Sequence, residues 1–304
     1  MEKPSIPPYI ILFIGVLSIS TSAIFVKLAG NTPAAMIAFY RLAIAVTIMA
    51  PYVVWRHFDE IKQTKKKDWI IAIFSGIFLA FHFILWFESL HYTTVASSVV
   101  LVSLQPIFAF MGTYIFFKEK FTIGAILSLI ITITGSVIIG WGDFQMDSSA
   151  LFGDFLALLG AVTVTGYFLL GQNLRQRQSI MTYTFIAYGM AAITLLLYNL
   201  IIGNSFSGYT GDQWLTFLGL AIIPTFFGHT LFNWTLKWLS ASTISMAVLV
   251  EPIGASILAY WILDEIITWT QWLGGSIILF GLMMFILSTT KKLKPKFTHE
   301  SNGP

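Results

Sequence analysis

Long apolar stretches separated by short polar breaks fill most of the chain. Ten of them can be counted, at about 9–29, 34–55, 69–90, 94–116, 121–141, 150–172, 180–202, 213–236, 241–262 and 269–290. Each is close to the ~20 residues that an α-helix needs to cross the hydrocarbon core of a bilayer. They are too long for the alternating strands of an outer-membrane barrel. The pattern therefore predicts an all-α integral membrane protein with ten transmembrane helices, numbered here spans 1 to 10.

The composition agrees with this prediction and narrows the class of protein. Of the 304 residues, 57% are hydrophobic and 10% are charged, whereas about 25% of the residues in a typical soluble domain are charged. Ten spans leave no room for a sizeable soluble domain. The chain has no cysteine, which excludes a disulfide framework, a thiol nucleophile and a thiolate metal site.

The distribution of basic residues predicts the orientation of the chain. Of the 17 basic residues, Lys27 and Arg41 lie within spans. All the others fall before span 1 or in the segments that follow spans 2, 4, 6, 8 and 10. The positive-inside rule then places both termini in the cytoplasm. We expect a multi-pass protein of the plasma membrane with a basic cytoplasmic tail at 291–304.

The chain also resembles itself at a shift of 146 residues. The coincident pairs include Gln105 with Glu251, Pro106 with Pro252, Glu119 with Glu265 and Gly135 with Gly281. Each half, 1–145 and 146–290, then holds five spans. Because five is odd, the second half must enter the membrane from the opposite side. Such inverted repeats occur in many secondary transporters, whose substrate sites lie near the midplane between the repeats.

These features resemble the drug/metabolite transporter superfamily, and its EamA-type branch in particular. In that family each five-helix repeat has a Pro in its fourth helix and a Glu at the start of its fifth, as here. Lys27 ending helix 1 and Arg41 in helix 2 are similar to the family pattern, and so is the run from Gly228 to Trp234 in span 8. The resemblance implies export of amino acids or other small metabolites, without a cofactor.

Ionisable side chains inside spans are costly and mark candidate functional sites. Glu251 is expected about 15 Å into span 9, near the midplane, at 1.5 Å of rise per residue. It could bind a substrate ammonium, carry a coupling proton, or hydrogen-bond the main chain freed by a structural kink, which Pro106 and Pro252 are each expected to cause. Arg41 is either a structural tie or a contact for a substrate carboxylate, for which a guanidinium is well shaped.

The other candidates for substrate binding or coupling are His82, His229, Asn233, Trp86, Tyr167 and Gln105. The two histidines are either packing residues or groups that carry protons and hydrogen bonds in a cavity. No span pairs a histidine with a second ligand at metal-binding spacing, so no metal site is expected. The ten Trp lie near span ends, as in an interfacial belt. Trp86, with Tyr167 in span 6, is nevertheless a candidate cavity aromatic.

Small residues predict close helix packing in spans 5 and 10. Gly274 and Gly281 are seven residues apart and so share one helix face, and the matching pair in span 5 is Ser128 and Gly135. Small residues at this spacing let two helix backbones approach closely. We expect each of these spans to pack against a neighbouring helix, and the two spans are candidates to pack against each other.

These observations together favour a secondary transporter that works by alternating access and not an enzyme. The substrate is expected to be a small metabolite, an amino acid or related zwitterion, and coupling to protons and facilitated diffusion both stay open. No Gly-rich phosphate-binding loop is present, so ATP is not expected to drive it. The basic run at 62–67 is interpreted as a topology anchor and not as a nucleic-acid site. We expect a monomer or a weak homodimer in the lipid bilayer.

The alternative from another class is an intramembrane enzyme that acts on a lipid or small metabolite. Such an enzyme would need a nucleophile–base pair or a metal cluster at one depth in the membrane. None of the embedded His, Glu or Arg residues pairs in that way within a span.

Overall fold

The computed structural model describes residues 4–93, 95–141, 148–264 and 266–290. Within these ranges the regular structure is helical and no β-strand occurs. Glu265 and the predicted tail at 291–304 lie outside the described residues.

In the described ranges, nine of the predicted spans are long and apolar enough to cross a membrane, and span 5 is a shorter apolar helix. Spans 2, 3, 5, 6, 7 and 10 are uninterrupted and run over Ala34–Arg56, Lys66–Tyr92, Ile123–Trp141, Ser148–Leu174, Ile180–Ile202 and Trp269–Thr290. Span 1 is divided into Pro8–Ile19 and Ser22–Leu28, span 4 into Val95–Val102 and Gln105–Phe117, and span 9 into Ala241–Val248 and Glu251–Leu263. Span 8 is formed by Gly211–Leu220, Ala221–Thr230 and Leu231–Thr235. A short helix, Phe58–Gln63, connects spans 2 and 3.

The helix boundaries repeat at the same shift as the sequence. Both halves of span 4 coincide, residue for residue, with both halves of span 9. The second halves are followed by Lys118 and Asp264, each with φ of 56°. Residues other than glycine seldom adopt this left-handed conformation. Its occurrence at equivalent positions agrees with two structural repeats of five helices.

Spans 5 and 10 pack against each other in opposite directions. A Cβ built on Gly135 would lie 2.7 Å from Gly274 O and 2.9 Å from Ile278 N, and one built on Gly124 would lie 2.9 Å from Ser288 Cβ. Residue numbers therefore fall along span 10 as they rise along span 5, as an inverted repeat requires. The small-residue faces expected to pack closely thus meet each other.

Spans 4 and 9 are interrupted at equivalent positions. The interruptions lie at 103–104 and 249–250, directly before Gln105 and Glu251, and the next residue in each span is a proline. Pro106 and Pro252 occupy the second position of the helices that follow the breaks. Proline donates no main-chain hydrogen bond and disfavours a helical conformation in the residue before it. The prolines therefore follow short irregular turns, in which the main chain stays close to helical: Leu249 and Val250 keep right-handed helical angles, and Val250 N–H donates to Ala247 O. As a result, Gln105 and Glu251 each begin a new helix in the middle of the membrane.

Span 8 contains a π-helix over Ala221–Thr230, which the hydrophobic pattern did not predict. Pro224 lies inside it and has no N–H to donate. Thr225 Oγ1 donates to Leu220 O at 2.8 Å, five residues back. The wider turn matters because Thr225 and His229, both in this segment, contribute to the site described below.

Candidate functional site

A cavity of about 30 Å³ lies where spans 1, 3, 4, 6, 8 and 9 meet. Its polar lining consists of Ser22, His82, Trp86, Gln105, His229 and Glu251. A cavity of this size holds about two water molecules, so the site is closed to a larger solute in this conformation.

The structure brings the eight candidate residues of the sequence analysis into one region. Five of them line the cavity, namely Glu251, His82, His229, Trp86 and Gln105. The other three, Arg41, Tyr167 and Asn233, are fully buried and contact the lining residues or their neighbours. The sequence could not show this convergence, because the spans are apolar on most faces and their rotation about their own axes is set by packing.

Arg41 lies behind the cavity wall and is held from both repeats. Its Nε donates to Thr225 Oγ1 at 2.7 Å, and its Nη1 donates to Ser22 Oγ at 3.0 Å. Its Cζ lies 4.2 Å from the ring centroid of Phe83, which is a cation–π arrangement. Nη2 has no hydrogen-bond partner among the described residues. Arg41 is therefore anchored by neutral groups, while its positive charge acts on the adjacent cavity.

Glu251 is the acidic residue of the cavity. It is 5% exposed, and within the described part of the chain no hydrogen bond is recorded for its carboxyl group. Arg41 interacts with it electrostatically but does not form an ion pair within 4.0 Å. Gly254, one turn along the helix, packs directly on Ser20 of span 1. The small residue thus lets spans 1 and 9 approach closely beside the carboxyl group.

His82 and Trp86 form one wall, contributed by span 3. His82 Nδ1 lies 2.9 Å from Gly160 O. Because a carbonyl oxygen only accepts, Nδ1 carries the proton and Nε2 is left to accept in the neutral ring. The His82 and Trp86 rings stack with centroids 5.7 Å apart. Trp86 Nε1 has no hydrogen-bond partner among the described residues.

His229 connects the cavity to a second layer of buried polar groups. Its ring centroid lies 6.1 Å from that of Tyr167, and Asn233 Nδ2 donates to Tyr167 OH. The main-chain oxygen of Asn233 accepts from Arg175 Nε at 2.9 Å. His229 Nδ1 and Asn233 Oδ1 lack partners in the described part of the chain. Buried polar atoms without protein partners are usual places for ordered water.

Two carboxylates bind hydroxyl groups at the amino ends of the interrupted spans 4 and 9. The sequence analysis did not predict this role for them. Glu119 accepts from Ser240 Oγ and Ser242 Oγ, at 3.0 Å each, at the amino end of span 9. Asp154 in span 6 accepts from Ser97 Oγ at 2.8 Å, near the amino end of span 4. Ser22 and Thr225 were also not predicted, because serine and threonine are common in membrane helices and carry no distinctive pattern.

No metal site is evident in the described ranges. Among these residues, no group of three His, Asp or Glu side chains is close enough to hold an ion. The cavity instead offers one carboxyl group, two imidazoles, an amide and an indole N–H, a set suited to binding a polar organic solute.

Comparison with known proteins assigns the repeats to a family. The sequence profile of the EamA-like transporter family matches residues 6–141 and again residues 151–287. The uncharacterized transporter YdfC of Bacillus subtilis is 27% identical over 295 residues, covering 95% of this chain and 94% of that protein. Solute carrier family 35 member G1 of Mus musculus is 24% identical over 306 residues, covering 95% of this chain and 79% of that protein.

A solved structure supports the fold independently. A protein of known crystal structure, 17% identical in sequence, superposes with a TM-score of 0.75. The superposition covers 94% of this chain and 98% of that one. At this level of identity the similarity shows the fold alone.

Proposed function

Because this chain belongs to the EamA-like transporter family, we propose that it exports amino acids or related zwitterions across the plasma membrane by alternating access. The single observation that carries the proposal is the presence of an acidic and a basic side chain at one buried site. Glu251 lines the cavity, and Arg41 lies behind its wall, without an ion pair between them. The Glu251 carboxyl group is therefore open to the ammonium group of a solute, and the positive field of Arg41 favours a negative group beside it.

The repeats supply the moving parts of the proposed cycle. We propose that 1–145 and 146–290 rearrange relative to each other around the cavity, which is lined from both repeats. The cavity is too small for a substrate in this conformation. One half of the bundle must therefore separate from the other to admit a substrate, as alternating access requires.

The proposed orientation places both termini in the cytoplasm, on the side of the basic connections. Export then runs from the end where Lys62 and Arg175 lie to the opposite end. Glu251 is the candidate for coupling to protons, because a carboxyl group can exchange a proton for a substrate ammonium. Without such coupling the same site would support facilitated diffusion down the substrate gradient.

The alternative function, an intramembrane enzyme, would need a nucleophile activated by a base. In the described part of the chain, the side-chain hydrogen bond recorded for His82 goes to a main-chain carbonyl, and His229 Nδ1 has no partner. Neither arrangement activates a nucleophile. Transport is therefore the function that the site supports best.

The test uses purified protein and a panel of the twenty common amino acids. A ligand at 100 times its Kd stabilises the folded state by about 2.7 kcal/mol, so a true ligand should raise the Tm by several degrees. The best ligand should also drive counterflow of its labelled form in proteoliposomes. Its decarboxylated amine and its deaminated acid, each with a single charge, should bind at least tenfold more weakly.

The outcomes test zwitterion recognition and the proposed substrate class separately. If either singly charged analogue binds as well as the amino acid, zwitterion recognition is wrong. If no amino acid raises the Tm or drives counterflow, the proposed substrate class is wrong.

A further inference from the structure

The second half of span 4 begins at the cavity without an acidic side chain of its own. This helix, Gln105–Phe117, has its first residue in the cavity lining. The equivalent helix of the second repeat, Glu251–Leu263, begins with a carboxyl group at the same position. The amino end of a helix carries about half a positive charge. The second repeat thus places an acidic side chain at this helix end, whereas the first repeat places the neutral amide of Gln105 there.

Trp86 gives an independent indication that an acceptor binds near this helix end. Its side chain is 3% exposed, and Nε1 has no hydrogen-bond partner among the described residues. It lines the same cavity as Gln105, and its ring is fixed by stacking on His82. An indole N–H can only donate, and a buried donor without a partner is costly. Trp86 therefore holds a fixed donor without a partner, in a side chain that lines the cavity.

Gln105 adds an amide to the same wall. Its side chain is 3% exposed, and the hydrogen bond recorded for this residue uses its main-chain oxygen, which accepts from Thr165 Oγ1 at 3.3 Å. Arg41 is arranged differently, because two of its nitrogens are bound to Ser22 and Thr225 and it does not line the cavity. Arg41 thus contributes a positive field, while Gln105 and Trp86 can contact a solute.

We propose that the substrate carboxylate docks at the amino end of Gln105–Phe117, where it accepts hydrogen bonds from Trp86 Nε1 and the Gln105 amide. Its ammonium group then faces Glu251. The bound carboxylate would then lie at the start of Gln105–Phe117, just as the Glu251 side chain lies at the start of the equivalent helix of the second repeat. This inference rests on the proposed function and assigns the subsite for one of the two substrate charges.

The test compares the amino acid of the panel that gives the largest Tm shift with the amine formed by its decarboxylation. Trp86→Phe keeps an aromatic ring but removes the N–H. It should weaken binding of the amino acid about tenfold and leave the Kd of the amine unchanged. Gln105→Glu places a second carboxylate at the helix end. It should abolish binding of the amino acid and preserve or strengthen binding of the amine.

Trp55→Phe is the matched control, because Trp55 is 77% exposed at the end of span 2. It should change neither Kd, and the Tm of each unliganded variant checks that the variant is folded. The subsite is wrong if Trp86→Phe weakens both ligands equally or neither of them. It is also wrong if Gln105→Glu still binds the amino acid with the wild-type Kd.

Arg41→Lys identifies the main competing arrangement. If this variant alone loses the amino acid while keeping the amine, the carboxylate docks on Arg41 and the assignment to Gln105 and Trp86 is overturned. Failure of the proposed function has a different signature, since the wild-type protein would then bind the amine as tightly as the amino acid.

Discussion

Arg41 Nε lies 2.7 Å from Thr225 Oγ1, so a buried cation of the first repeat is held by a hydroxyl group of the second. Thr225 can accept this bond because its own proton goes to Leu220 O inside the π-helix of span 8. Glu251 faces the same region and interacts electrostatically with Arg41. A change at Glu251 therefore alters the only carboxylate with which Arg41 interacts in the described structure.

Glu251→Gln should abolish or greatly slow transport while the Tm stays close to that of the wild type. Glutamine keeps the size of the side chain but can neither carry a proton nor attract an ammonium group. Any residual flux should lose its pH dependence. Proteoliposome flux between pH 5.5 and 8.5, together with the Tm, measures both effects.

Ser256→Ala is the control for Glu251→Gln, because it removes only a hydrogen bond to Pro252 O in the same helix. It should transport normally. Wild-type flux and an unchanged pH profile in Glu251→Gln would show that Glu251 is neither ligand nor coupling group. A lowered Tm with normal flux per folded molecule would make its role structural.

The proposed orientation can be tested with introduced cysteines, because the chain has none of its own. Ser148, Ser207 and Gln63 are all exposed, so reactivity depends on the side of the membrane. Cysteine at Ser148 or Ser207 should react with an impermeant thiol reagent in intact cells, and cysteine at Gln63 should react only after permeabilisation. The reverse pattern would place both termini outside.

Gly135→Ala should destabilise the protein. The added Cβ would lie 2.7 Å from Gly274 O and 2.9 Å from Ile278 N, so main-chain atoms would have to move. Overpacking of this kind costs about 1–3 kcal/mol. Gly189→Ala is the matched control, since nothing lies within 4 Å of its Cβ. It should be neutral or stabilising by up to about 1 kcal/mol, and an equal Tm for both variants would refute the close packing of spans 5 and 10.

Glu60 should make stability depend on pH on the acidic side. Ser179 N–H donates to its Oε1 at 2.7 Å, and His57 Nδ1 lies 3.2 Å from its Oε2. Burial raises the pKa of Glu60, but hydrogen bonds, chiefly from Ser179, outweigh burial and hold the pKa below its usual value. The carboxylate therefore stabilises the fold above the unfolded pKa of about 4.3. This stabilisation is lost as the pH falls through the folded pKa.

Glu60→Gln should consequently lower the Tm at pH 7 and reduce the further fall in Tm between pH 5 and pH 3. Asp59→Asn is the control, because Asp59 is the exposed neighbour in the same short helix. Thermal unfolding in detergent across this range measures the effect. A Glu60→Gln variant that follows the wild-type Tm at every pH would contradict it.

Glu119 and Asp154 should each protect a different half-helix from hydrogen exchange. Glu119→Ala removes the acceptor of Ser240 and Ser242, so amides of Ala241–Val248 should exchange about tenfold faster, as expected for the loss of about 1.4 kcal/mol of local stability. Asp154→Ala should do the same for Val95–Val102. Each variant is the control for the other, and a uniform increase across the chain would indicate general destabilisation instead.

The sequence predicted the spans and their repeat well because both depend on composition and on residues at a fixed shift. Hydrophobic length predicts membrane helices, and the coincidence of Pro106 with Pro252 predicts equivalent helices. The candidate residues were found for a similar reason, since a charged or polar side chain inside a span is conspicuous.

What the sequence did not reveal depends on main-chain geometry and on contacts between distant spans. A proline predicts a disturbance of the helix, but not the form of the irregular turn that results. The sequence likewise did not reveal the π-helix around Pro224 or the hydrogen bond from Ser97 to Asp154. Each depends on how a neighbouring span satisfies the groups that the local sequence leaves free.

The breaks in spans 4 and 9 constrain how the protein is assembled during synthesis. The first halves, Val95–Val102 and Ala241–Val248, are eight residues long and so about 12 Å, less than half of a hydrocarbon core of about 30 Å. Neither can cross the bilayer alone, and the proline that follows each interruption has no N–H to donate to the carbonyl four residues before it. The surroundings of Gln105 include His229 and Glu251, which the ribosome makes more than a hundred residues later. The first repeat is therefore inserted before the second repeat has been synthesised. Its polar groups around Gln105 become fully buried only when the second repeat packs against them.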